Sequence, residues 1–160
     1  MNTQITETGP ASSLDCELSD VEKEAFSKIA NLMTLKDGDI LLEEGHCDAC
    51  MYLVRDGELA VIKSAGQGDE QVISLLKPGD FTGAMGCIDG HAHSATLRAN
   101  GKAEVYRIER GQFEKLIGEQ PMLVYKIMRA VVCMLHETIR RMNTNHVEFT
   151  NYITKLHGRY

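Results

Sequence analysis

Residues 78–99, PGDFTGAMGCIDGHAHSATLRA, gather residue types that can hold a small ligand. Glycines stand at 79, 83, 86 and 90, and the segment closes on His93-Ser94-Ala95-Thr96. Glycine lets the backbone approach a ligand and take positive φ. Successive free N–H groups at such a turn make a concavity that binds anions. The expected chemistry is therefore the capture of something small and anionic. A histidine there adds charge only when protonated, and its ordinary pKa of about 6.5 leaves it mostly neutral at pH 7.

A second group is His46-Cys47-Asp48-Ala49-Cys50, a Cys-x-x-Cys pair in a turn between two strand-like runs. Cys47 and Cys50 together with Cys87, His91 and His93 could formally supply a metal or redox site. His-x-His is not the usual second ligand pair, however, and the segments lie far apart in the chain. The pair also lacks the helix N-terminus that activates thiols in thioredoxin-like motifs. The expectation is a turn pair that holds no metal, with the metal or redox sensor as the alternative. Cys133 falls in an apolar helix and is expected to pack in the core. No catalytic constellation emerges. Glu43-Glu44 precedes Gly45 in a turn, and Ser94 beside His93 on a strand would face the opposite side. The reading is not an enzyme.

These residues need a frame to position them. At 160 residues the chain suits one domain with an ordinary core. Its net charge of −6 argues against a nucleic-acid or anionic-membrane surface. No apolar run approaches the roughly 20 residues needed to cross a bilayer. The start, MNTQITETGPASS, lacks the basic and apolar parts of a secretory signal. A cytoplasmic protein with free thiols is expected.

Residues 1–17 read as a flexible tail. Ser19-Asp20-Val21-Glu22 is a capping-box pattern opening a short helix to about Ala30. From Leu32 to Glu109 short apolar runs (40–42, 51–54, 58–62, 71–76, 103–108) alternate with turn residues such as Asp56-Gly57 and Asn100-Gly101. That punctuation indicates a small antiparallel barrel or sandwich. Residues 65–69 should be a hairpin tip. A short helix over 112–117 is expected to end at Gly118.

Pro121 suits a first helical turn. No glycine or proline interrupts the chain from there to Leu156, which implies a helix of about 50 Å. Tyr125, Met128, Val132, Leu135, Ile139, Met142, His146 and Phe149 step by three and four. Such a sustained seam predicts a coiled coil and a parallel homodimer. The domain reading is thus a ligand-sensing unit over 18–120 and a dimer helix over 121–157.

In order and spacing these pieces resemble the cyclic nucleotide-binding domain, nearest the sensory half of catabolite activator and fumarate-nitrate regulators. The carrying residues are Lys36-Asp37-Gly38-Asp39, Glu44-Gly45, Tyr52-Leu53-Val54-Arg55-Asp56-Gly57, Lys77-Pro78-Gly79-Asp80-Phe81, Gly83, Ser94-Ala95-Thr96 and Phe113-Glu114-Lys115-Leu116-Ile117. The resemblance implies a mainly β fold, a β-roll (jelly-roll-like) with flanking helices and a long C-terminal dimerisation helix. In that family a glutamate of the phosphate segment accepts the ribose 2′-OH and an arginine pairs with the cyclic phosphate. Here Ala84, followed by Met85, holds the glutamate position and His93 the arginine position, while Gly83, Ser94 and Ala95 match. Thr138 aligns with a helix threonine that reaches the purine.

A charge-assisted hydrogen bond contributes about 1.5–3 kcal/mol. Losing both contacts would remove roughly two to four decades of affinity for cyclic AMP or GMP. The resemblance implies a non-enzymatic regulatory module that needs no cofactor and senses a cyclic nucleotide or another small phosphorylated ligand. It would signal through the dimer helix to a downstream protein partner. A degenerate domain kept for dimerisation and docking, or a metal or redox sensor, are the alternatives. A winged-helix domain needs at least about 50 residues, so no DNA binding by this chain is expected.

Overall fold

The computed structural model describes residues 17–64 and 68–157, with side chains to residue 144. The expected tail, the tip at 65–67 and the side chains of His146 and Phe149 lie outside the described residues. Helix α1 (Asp20–Ile29) begins at the capping box: the Ser19 hydroxyl accepts from the Glu22 N–H at 3.3 Å, and the Glu22 carboxylate accepts from the Ser19 N–H at 2.8 Å. There follow β1 (Ala30–Leu35), β2 (Ile40–Leu42), β3 (Cys50–Asp56), β4 (Leu59–Ser64), β5 (Glu70–Leu76), β6 (Phe81–Thr82), α2 (Ala84–Asp89), β7 (Thr96–Ala99), β8 (Ala103–Glu109), α3 (Arg110–Glu119) and α4 (Pro121–His157).

Two four-stranded antiparallel sheets, ordered β1-β8-β3-β6 and β2-β7-β4-β5, face one another as a β-roll. The run Cys50–Val54 is apolar throughout because β3 separates two cores. Period-two alternation sends Cys50, Tyr52 and Val54 between the sheets, with Leu59, Leu97 and Val105. It sends Met51 and Leu53 to the other face, beneath Leu116, Leu123 and Ile127 of the helices. The turn from β3 to β4 requires Gly57: φ is +77°, and a Cβ there would stand 2.3 Å from the Lys102 carbonyl oxygen.

Helix α4 lies on the sheet through Leu123, Ile127, Ala130 and Val131. Helix α1 is tied to it by Lys126, whose Nζ donates to the Glu22 carboxylate at 2.7 Å and the Glu17 carbonyl at 2.8 Å. Phe26 meets Tyr106 edge to face, centroids 5.9 Å apart.

Several expectations change. Residues 84–89 form a helix, α2, instead of an open glycine turn. Strands β1, β6 and β7 are additional to the runs read from the sequence. Gly118 lies inside α3, and the break comes at Gln120 because the residue before a proline avoids α geometry. Cys133 is exposed, not packed in the core, because it lies on the helix face away from Leu123, Ile127 and Val131. Along the heptad seam, Met128 and Leu135 pack against their own core, while Tyr125, Val132, Ile139 and Met142 are 55–63% exposed.

Candidate functional site

Between the sheets' open end and α4 lies a cavity of about 370 Å³. Gly83, Ala84, Met85, His93, Ser94, Ala95 and Thr138 all line it, so the structure gathers at one place residues separated by up to 55 positions. Leu42, Val61, Leu76 and Leu97 form its apolar floor, and Met134, Leu135 and Thr138 of α4 form one wall. That wall is pinned: the Phe81 backbone N–H donates to the Met134 sulfur at 3.2 Å. Farther along the helix, Arg141 donates to the Ser74 hydroxyl at 3.1 Å.

Gly83 opens α2 with φ +69°. A Cβ there would stand 2.9 Å from the Cys50 carbonyl oxygen and 3.3 Å from the Tyr52 ring. Only glycine lets this turn sit so close to β3. Ala84 is buried, so the position that the resemblance gives to a sugar-binding carboxylate holds a methyl group in the core.

His93 is held inside the fold and not in solvent. Its side chain is 7% exposed, and Nε2 lies 3.0 Å from Asp48 Oδ1. The ring packs over Gly86, where a Cβ would meet His93 Cε1 at 3.3 Å. The backbone is held as well: His93 N donates to the His46 carbonyl, and the His93 carbonyl accepts from Gly45 N. The other Asp48 oxygen accepts from the Tyr52 hydroxyl at 2.6 Å. Burial, then Asp48, holds the Tyr52 phenol well above its ordinary range, so it remains a donor. His93 and Ser94 both precede β7, so strand alternation does not govern their directions. Ser94 is exposed; its carbonyl accepts from Lys63 Nζ at 2.6 Å, and Lys63 is also paired with Glu44.

Cys47, Cys50, Cys87, His91 and His93 do not assemble as ligands, and among the described residues no three His, Cys, Asp or Glu side chains are placed to hold a metal. Cys47 is exposed, with Sγ 3.6 Å from the Gly90 carbonyl oxygen. His91 turns to Asp89 at 3.2 Å, and His93 to Asp48. Burial pushes the Cys87 thiol up to about 11, with Cys50 adding to the shift. Burial raises Cys50 too. Both therefore stay protonated and unreactive at neutral pH.

Sequence reading missed Asp48, Tyr52 and Met134. Asp48 was hidden by the cysteines flanking it. Met134 has a signal: a 3.6-residue period places it on the face of Leu123, Ile127 and Val131, whereas the heptad selects its neighbour Leu135.

The sequence pattern of the family described as "Cyclic nucleotide-binding domain" matches residues 32–120. The cAMP-dependent protein kinase regulatory subunit of Yarrowia lipolytica is 30% identical over 104 residues, 63% of this chain and 27% of that protein. The chain thus spans about a quarter of that relative's length. A cyclic nucleotide-binding domain from Methylobacillus flagellatus shares the fold with TM-score 0.75, at 23% identity, covering 82% of this chain and 74% of that one. The catabolite activator protein of Thermus thermophilus does so with TM-score 0.69, at 21% identity, covering 83% and 62%.

Proposed function

The chain belongs to the cyclic nucleotide-binding domain family, and from that premise we propose that it is a non-enzymatic regulatory module whose cavity senses a small ligand and whose long helix carries the signal within a homodimer. The observation that supports this is the shared wall. Met134, Leu135 and Thr138 line the cavity, and Met134 accepts the Phe81 N–H. An occupant must therefore contact the element that bears the exposed residues Val132, Ile139 and Met142. Those side chains present an apolar stripe suited to a second copy of α4. A ligand that prefers one helix position shifts the population toward it.

Two measurements test the reading. Light scattering at micromolar concentration should give twice the monomer mass. Hydrogen exchange across residues 130–142 should change when the cavity is filled by a ligand or by Thr138→Trp. A monomer, or an α4 indifferent to filling, would overturn it. The degenerate docking unit is the reading that an indifferent α4 in an intact dimer would favour.

A further inference from the structure

We propose that the cavity takes a compact, uncharged and largely apolar ligand oriented by hydroxyl groups, and discriminates against cyclic phosphates. This rests on the reading that the cavity is the sensing site.

The chemistry of the walls carries the argument. Leu42, Val61, Leu76, Phe81, Leu97 and Leu135 line it with apolar side chains, and Thr82, Ser94 and Thr138 are the hydroxyl-bearing residues of the lining. Among the described residues no lysine or arginine lines the cavity. Cationic side chains on the elements that form it are engaged elsewhere, Arg141 of α4 with Ser74. Arg98 follows inward-facing Leu97 and turns out, donating to both Glu70 oxygens at 2.9 Å. Lys63 is held by Glu44 and the Ser94 carbonyl. His93 directs Nε2 to Asp48 at 3.0 Å.

Among the described residues one acidic side chain lines the cavity, Asp89, and the His91 imidazole, also in the lining, lies 3.2 Å from it. Asp89 lies on its rim, with its carboxyl held below the ordinary range first by the His91 N–H, so it is ionised at neutral pH. An incoming cyclic phosphate would meet this carboxylate and no guanidinium or ammonium. Its ribose hydroxyl would meet the methyl group of Ala84, not a carboxylate acceptor. An uncharged occupant loses nothing by these replacements, and removal of its apolar surface from water drives binding. At about 370 Å³ the space is near the lower end of small-molecule pockets, about 300–1,000 Å³, which sets the size class.

The test uses the full chain and the uncharged fluorophore N-phenyl-1-naphthylamine. Saturable fluorescence enhancement should appear with a dissociation constant near about 10 μM, and cyclic AMP up to about 1 mM should not displace the dye. Filling the cavity with Thr138→Trp, and independently with Ala95→Leu, should weaken dye binding at least about tenfold. Lys28→Ala on the exposed face of α1, outside the cavity lining and the α4 stripe, should leave it unchanged. Absence of dye binding, dye binding indifferent to both filling variants, or displacement by cyclic AMP at about 10 μM or below would each overturn the proposal. Tight cyclic AMP binding that alters α4 exchange would sink this inference and leave the sensing reading standing. Dye bound in the cavity with α4 exchange unaltered would do the reverse.

Discussion

Phe81 donates its backbone N–H to the thioether of Met134 across 3.2 Å, joining the first residue of β6 to the wall of the cavity on α4. A thioether is a weak acceptor, but here it satisfies a backbone donor at a place where the sheet ends. Met134→Leu preserves volume and removes the acceptor. The expected loss is about 1 kcal/mol in urea unfolding. Exchange of the Phe81 amide should quicken roughly fivefold while amides in the middle of β8 keep their protection.

The two flanks of the heptad seam should behave differently. Val132 and Ile139 are exposed at 58% and 55%, whereas Leu135 packs on its own core. Val132→Asp with Ile139→Asp should give a folded monomer by light scattering and circular dichroism, because charge placed in an apolar helix contact is costly only in the dimer. Leu135→Asp should instead lower the melting temperature, since the carboxylate would stand against the barrel.

Asp48 serves two donors that the chain brings from 45 and 4 residues away, His93 and Tyr52. Asp48→Ala removes both acceptor oxygens and is expected to destabilise by about 1–3 kcal/mol. Asp48→Asn, which keeps one acceptor, should lie between. Because the Tyr52 phenol is raised well above its ordinary range, its contribution is fully present below pH 10 and is lost as pH rises beyond it. Ultraviolet titration should show a tyrosine, absent from Tyr52→Phe, that resists ionisation until the protein unfolds.

Local signals were legible and distant ones were not. The capping box, the all-apolar Met51–Val54, the Asp56-Gly57 turn and Pro121 each state a backbone preference within a few residues, and each stands where that preference puts it. Helix α2 was illegible because six residues containing Gly86 carry less than two turns of periodicity. Strand β1, ANLMTL, hides because Asn31 and Leu32 are both exposed, which breaks the alternation. The glycine segment did lead to the cavity, and its order matched a family pattern. Yet the partner that orients His93 lies in another turn, and side-chain pairing across that separation leaves no periodic trace. The same holds for Met134, whose sulfur is chosen by the position of β6.

Gly83→Ala tests the turn that brings the glycine segment against β3. The left-handed φ of +69° costs an L-residue about 1–2 kcal/mol, and a methyl group 2.9 Å from the Cys50 carbonyl forces a backbone shift as well. The expected outcome is a loss of roughly 2–3 kcal/mol in denaturant unfolding. Gly90→Ala is the comparison: φ is +75°, but nothing lies within 4 Å of the new Cβ, so it should cost only the conformational part.

Glu22 couples stability to acid. Its carboxyl is held at about 2, first by the hydrogen bond from Lys126, then by the Ser19 N–H. In the unfolded chain it returns to about 4.5. A depressed folded-state pKa means the unfolded state binds the proton first as pH falls. The stabilisation is therefore complete above pH 4.5 and drains away between pH 4.5 and 2. In the folded chain the carboxylate keeps Lys126 on α1 until the pH nears 2, so the α1–α4 contact should fail only at the acid end of that window. Melting temperatures measured from pH 6 to pH 2.5 should fall more steeply for the wild-type chain than for Glu22→Gln. The variant should start lower at pH 6, because its neutral amide leaves Lys126 without a charged partner, and the two curves should converge toward pH 2. Parallel curves over that range would place the acid sensitivity in other carboxylates.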